Sequence, residues 1–121
     1  MNGAALTSKE VNFLVYRYLL EAGFTHTAFV FGAESSLVHS DIPGQEVPVG
    51  ALVSFIQKGC QFAELEANLT DNVEDVFAEY TSISARDVLT KDVAGLRAAV
   101  REAQESAEAR RLDPLARGPL A

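Results

Sequence analysis

Residues 7–34 read TSKEVNFLVYRYLLEAGFTHTAFVFGAE. The first half places Val11, Leu14, Val15, Tyr18 and Leu19 at spacings of 3, 1, 3 and 1, which is one apolar stripe at helical period. Phe13 and Tyr16 widen it, while Lys9, Asn12, Arg17 and Glu21 fall largely elsewhere. Thr7-Ser8-Lys9-Glu10 has the form of a capping box, so a first helix is predicted from there to about Ala22. Gly23 is the expected stop, because the residue past a helix end often takes the left-handed conformation that glycine adopts cheaply. Phe24 follows as the apolar contact of such a stop. Thr25 is the expected cap of a second helix, from His26 to about Ser36, whose apolar face holds Ala28 and Phe31.

Two helices this short do not bury so many large side chains alone. Full burial of each is worth ~1.5–3 kcal/mol, so a wet stripe would be costly. Packing two hairpins as four helices resolves this. The alternative cover is a later helix of the same chain.

Beyond the hairpin, Leu37 to Gln45 reads as a loop with a turn at Ile42-Pro43-Gly44-Gln45. A third helix is predicted over about Val49–Asn68, with Pro48 in its first turn. Leu52, Phe55, Ile56 and Phe62 are its candidate anchors. Gly59 in mid-helix costs ~1 kcal/mol against alanine, which is consistent with a close approach there or with a tolerated glycine. Thr70 to Ser82 is acidic and reads as a solvated loop; it lacks the order and the glycine of a calcium loop. Ser84-x-x-Asp87 starts a short helical turn over Ala85–Thr90. A final helix from about Asp92 to Arg111 carries Val93, Leu96, Val100, Ala103 and Ala107 at 3,4 spacing. Asp113-Pro114 ends it, and residues 112–121 read as a disordered tail or linker.

Composition bounds the function. The chain has 121 residues, 48% of them hydrophobic, and a net charge of −7. An acidic chain has no concentrated basic surface for nucleic-acid phosphates or anionic membrane, so neither is an expected partner. No run approaches the ~18 apolar residues of a membrane span, and no secretory segment follows Met1. The lone cysteine, Cys60, suits a reducing compartment and reads as a small buried hydrophobe, so a soluble intracellular chain is expected. His26 and His39 are too far apart to suggest a metal site. No catalytic constellation, phosphate loop or metal cluster is evident, so no enzyme, metal or cofactor is expected.

Leu14, Val15, Tyr18, Leu19, Gly23, Phe24, Thr27, Ala28, Phe31 and Glu34 together resemble a LisH motif, with Val15 where isoleucine is more usual. That resemblance implies dimerising hairpins. It makes Val11, Leu14, Val15, Tyr18, Leu19, Phe24, Ala28 and Phe31 the expected dimer interface. With VPVGALVSFIQKGCQFAELE added, residues 7–69 resemble the N-terminal region of the transducin-beta-like corepressor subunits. The similarity weakens over 70–111 and is absent from the tail.

In that family a LisH motif precedes an F-box-like helical segment and a WD-repeat propeller. Only the third helix matches the F-box-like part, so ubiquitin-ligase recruitment gains little from it. No WD repeat is present and the chain has no tryptophan, so it is expected to hold the assembly region alone. The resemblance implies a homodimer or a homotetramer built from LisH dimers. It also implies binding of corepressor protein segments in histone deacetylase complexes, and a nuclear location with the cytoplasm as a second compartment.

The expected fold is therefore all-α. A LisH hairpin over 7–36 is followed by two longer helices, in an F-box-like segment over 47–69 and a C-terminal segment over 84–111, assembled as a dimer or dimer-of-dimers bundle. Leu52, Phe55, Ile56 and Phe62 are the expected tetramer or partner contacts. A LisH module of a cytoskeletal or centrosomal protein is the second reading, and the match of the third helix argues against it.

Overall fold

A computed structural model describes residues 3, 5–69 and 80–112. Helix α1 spans Ser8–Glu21, α2 Thr25–Glu34, α3 Ala51–Asn68, α4 Ala85–Thr90 and α5 Val93–Leu112. Two 3₁₀ turns, Leu37–His39 and Gly44–Glu46, lie between α2 and α3. The described residues form no strand, and the fold is all-α. The chain divides into two compact units, Met1–Gln57 and Lys58–Ala121, with the boundary inside α3.

In the first unit, α1 begins with the expected capping box. The Thr7 amide donates to the Glu10 carboxylate at 3.0 Å, and the Thr7 hydroxyl meets the same carboxylate. These contacts, the hydroxyl first among them, hold the Glu10 carboxyl below its ordinary range. The helix ends in a Schellman turn. The Phe24 amide donates to the Leu19 carbonyl at 2.8 Å and the Gly23 amide to that of Leu20 at 3.2 Å, with Gly23 at φ +89°. The chain then reverses into α2, and Leu14 and Ala28 are buried.

Several boundaries differ from expectation for local reasons. Phe24, not Thr25, is the N-cap of α2, and no side chain caps it. The helix stops at Glu34, two residues early, because Ser36 turns to φ 57°. Helix α3 starts at Ala51, since Gly50 sits at φ +77°, outside helical space; Pro48 therefore precedes the helix.

In the second unit, the core consists of Ala67, Leu96 and Val100, with Ala63 and Ile83 packed against it. The seam predicted for α5 is thus used at Leu96 and Val100, whereas Val93 is exposed. The Ser84 hydroxyl accepts from the Asp87 amide at 3.1 Å, capping α4 as predicted. Asp92 caps α5 by accepting from the Gly95 amide at 2.8 Å. Helix α5 reaches Leu112, so that residue is helical, not the start of a tail. Residues 70–79 of the acidic loop expected over Thr70 to Ser82, and the expected tail from 113, lie outside the described residues; 80–82 are in neither helix nor strand.

The segment after 79 is tied to the end of α3 through its backbone. The Asn68 side chain donates to the Thr81 carbonyl at 2.9 Å and accepts from the Thr81 amide at 2.8 Å. One turn earlier, the Glu64 carboxylate accepts from the Ile83 amide at 2.9 Å and the Tyr80 hydroxyl at 2.6 Å. These bonds hold the Glu64 carboxyl below its ordinary range, the Ile83 amide contributing most. The same carboxylate pushes the Tyr80 phenol up.

Candidate self-association and docking surface

Helix α1 has two working faces, because residues three and four apart share a side of a helix. One is the predicted stripe. Leu14 from this stripe is closed off inside the hairpin, as is Ala28 of α2, which has no accessible surface. Val15, Leu19 and Phe31 are half-buried. Val11, Tyr18 and Phe24 keep 40%, 38% and 52% of their surface accessible. The expected interface set thus splits by role. Leu14 and Ala28 are closed inside the single hairpin, and the other six keep accessible surface.

The opposite face of α1 is occupied by its own chain. Arg17, expected to be peripheral, is half-buried and donates to the Gly44 carbonyl (3.2 Å from each terminal nitrogen) and to the Val47 carbonyl at 2.9 Å. Its guanidinium lies 5.8 Å from the centroid of the Phe13 ring. Glu21 accepts from the Gly50 amide at 3.1 and 3.2 Å and pairs with Arg17 at 3.6 Å. Lys9 pairs with Asp41 at the other end of the loop, and this holds the Asp41 carboxyl low. Phe13, Arg17 and Glu21 repeat at i, i+4 and i+8; that spacing was the available sign of a second face. Their partners are backbone groups, which leave no trace in side-chain pattern.

Beside this anchored loop runs an open apolar groove, lined by Phe13 and Tyr16 of α1, Phe29 and Gly32 of α2, and Val38 and Ile42 of the loop. Gly32 lies against Tyr16; a Cβ there would be 3.5 Å from the ring.

The candidate anchors on α3 stand outward. In the first unit Phe55 and Ile56 are exposed and Leu52 is half-buried; in the second, Phe62 is exposed at 62%. Leu65 and Leu69, which follow Phe62 at spacings of 3 and 4 and continue the apolar stripe expected of this helix, are exposed too. Gly59 has open space where a Cβ would project, so among the described residues no close approach explains it. Cys60 is half-buried, not the fully buried hydrophobe expected, since its neighbours on α3 stay outside. Among the described residues, no group of three histidine, cysteine or acidic side chains is arranged to hold a metal ion. No helix among them is long and apolar enough to cross a membrane.

The chain is all-α, and its first hairpin is of the LisH kind: residues 9–35 match the LisH family model. The match ends one residue past α2 and takes in both helices and the Gly23 turn. The chain is also similar to WD40 repeat-containing protein HOS15 of Arabidopsis thaliana, 46% identical over 99 residues, covering 82% of this chain and 16% of the relative. It is similar to F-box-like/WD repeat-containing protein TBL1X of Homo sapiens, 53% identical over 68 residues, covering 56% of this chain and 12% of the relative. SIR4-interacting protein SIF2 of Saccharomyces cerevisiae is 32% identical over 75 residues, 61% of this chain and 14% of that protein. The chain therefore spans about a sixth or less of the length of these relatives. It matches a LisH-containing N-terminal region of the transducin-beta-like kind.

Proposed function

We propose that this chain is the self-association and partner-docking region of a transcriptional corepressor subunit. One observation carries the reading: a hairpin matching LisH leaves Val11, Tyr18 and Phe24 exposed along its stripe. A second hairpin covers these residues in a four-helix packing. Leu52, Phe55 and Ile56 in the first unit, and Phe62 in the second, are then each candidate contacts for dimer–dimer packing or for an amphipathic segment of a corepressor protein. Similarity to the F-box-like/WD repeat-containing and SIR4-interacting relatives supports placing the chain in a nuclear, chromatin-directed complex. Such a complex contains a histone deacetylase in the family the sequence resembles, and the region acts there by binding, not by catalysis.

The test is affinity purification from nuclear extract with the full chain as bait, beside a Tyr18→Glu variant. Recovery of deacetylase activity with the wild-type chain, lost or reduced with the variant, is the expected result. Recovery of tubulin-associated proteins without deacetylase would overturn the corepressor reading.

A further inference from the structure

We infer that Arg17 and Glu21 are positioning residues that set the direction in which the first turns of α3, residues 51–57, leave the LisH hairpin. Arg17 fixes two carbonyls of the loop, those of Gly44 and Val47, by three hydrogen bonds. Glu21, one turn further along α1, receives the amide of Gly50, the last residue before α3. The Gly50 backbone is left-handed at φ +77°, so the chain turns sharply at the point where Glu21 holds it. Phe13 packs against the loop at Gly44, where a Cβ would lie 3.2 Å from the ring edge and the ring would have to shift.

The three anchors, Phe13, Arg17 and Glu21, therefore stand at one register on α1 and act on successive points of a single loop. The Arg17 contacts with the loop are partly buried, whereas the Glu21 contact with Gly50 lies at the surface. A planar guanidinium serves two carbonyls at once, which a lysine ammonium does not reproduce with the same geometry. A simple surface ion pair explains none of this, because the two side chains spend most of their hydrogen-bonding capacity on backbone 27 to 30 residues away. The consequence concerns Leu52, Phe55 and Ile56, which occupy the first turns of α3 and whose presentation is fixed by that exit angle. This consequence rests on the reading of α3 as a docking surface; the positioning itself does not.

The experiment uses the full chain with spin labels at His26→Cys and Ser54→Cys, both exposed positions, in a Cys60→Ser background. Labelled chains are diluted into unlabelled ones so that the distance is read within one chain. The expected wild-type result is a narrow distribution. Arg17→Met and Glu21→Ala keep good helix formers in α1 but should lose the narrow distribution. Glu21→Gln should retain it, because its amide oxygen still accepts from the Gly50 amide. A narrow distribution that survives in Arg17→Met and Glu21→Ala overturns the inference, as does a Glu21→Gln distribution as broad as that of Glu21→Ala. Light scattering on the same samples separates the two readings. A monomeric wild-type chain would contradict the self-association proposal and leave the distance result standing. An assembled chain with unmoved distances would contradict the positioning role alone.

Discussion

The guanidinium of Arg17 in the first helix donates to the carbonyl of Val47, 2.9 Å away and 30 residues further along the chain. This bond, with its companions at Gly44 and Gly50, turns one side of α1 into a seat for the loop that leads to α3. The other side of the same helix stays partly uncovered. A helix with one face used internally and one left open is what a self-associating hairpin requires, and the first predictions concern those two faces.

Tyr18 lies on the open stripe at 38% exposure, so replacing it with glutamate removes little from the isolated chain. In an assembled dimer the same change sets a charge in an apolar seam, where burial without a partner is costly. Tyr18→Glu should lower the solution mass while leaving helical circular dichroism close to wild type. Unchanged mass would remove Tyr18 from the interface.

Leu14 gives the contrasting case. It is 8% exposed within the single chain and closes the hairpin itself. Leu14→Ala should cost about 2–5 kcal/mol of stability, read by chemical denaturation. Phe31 is only half-buried in one chain, so Phe31→Ala should cost less than that in a monomer and more once hairpins associate.

Two glycines should respond with opposite sign. Gly23 at φ +89° has nothing near its missing Cβ, so Gly23→Ala should destabilise by about 1–2 kcal/mol through backbone strain alone. Gly59 lies within α3 with equally open surroundings, and Gly59→Ala should stabilise the helix by about 0.5–1 kcal/mol. If Gly59→Ala instead weakens association, a partner approaches α3 closely at that point.

The Glu64 clamp predicts a pH response. Its folded carboxyl is held below its ordinary range, so its contribution is present above the unfolded value and is lost as pH falls through the carboxylate range. Protection of the Ile83 amide against hydrogen exchange, corrected for intrinsic rate, should therefore hold steady from about pH 7 down to about pH 4.3 and fall below that. In Glu64→Gln that dependence should flatten. An equal pH response in both chains would assign the protection to another group.

Much of the hairpin was legible because its signals are local and carried by side chains. The 3- and 4-residue apolar spacing marked α1, and Gly23 marked its stop. The Ser84 cap placed α4 at its observed bounds for the same reason. The roles of Arg17, Glu21, Glu64 and Asn68 were not legible, because each bonds to backbone groups far along the chain. A carbonyl or amide has no identity in the sequence, so a charged residue that serves one looks like a solvated residue. The start of α3 was placed too early because Pro48 suits a first turn, while the conformation that delays the helix belongs to Gly50. The split of the stripe between Leu14 and Ala28 inside, and Val11, Tyr18 and Phe24 outside, depends on how closely α2 packs. Periodicity alone does not carry that distance.

The most direct test of the central claim is the mass of the full chain in solution, measured by light scattering across a concentration series. Self-association through the LisH stripe predicts a mass that is a multiple of the 13.0 kDa chain, with Tyr18→Glu shifted toward a single chain. A chain that remains at 13.0 kDa at every concentration would contradict the claim and leave Val11, Tyr18 and Phe24 as ordinary exposed surface.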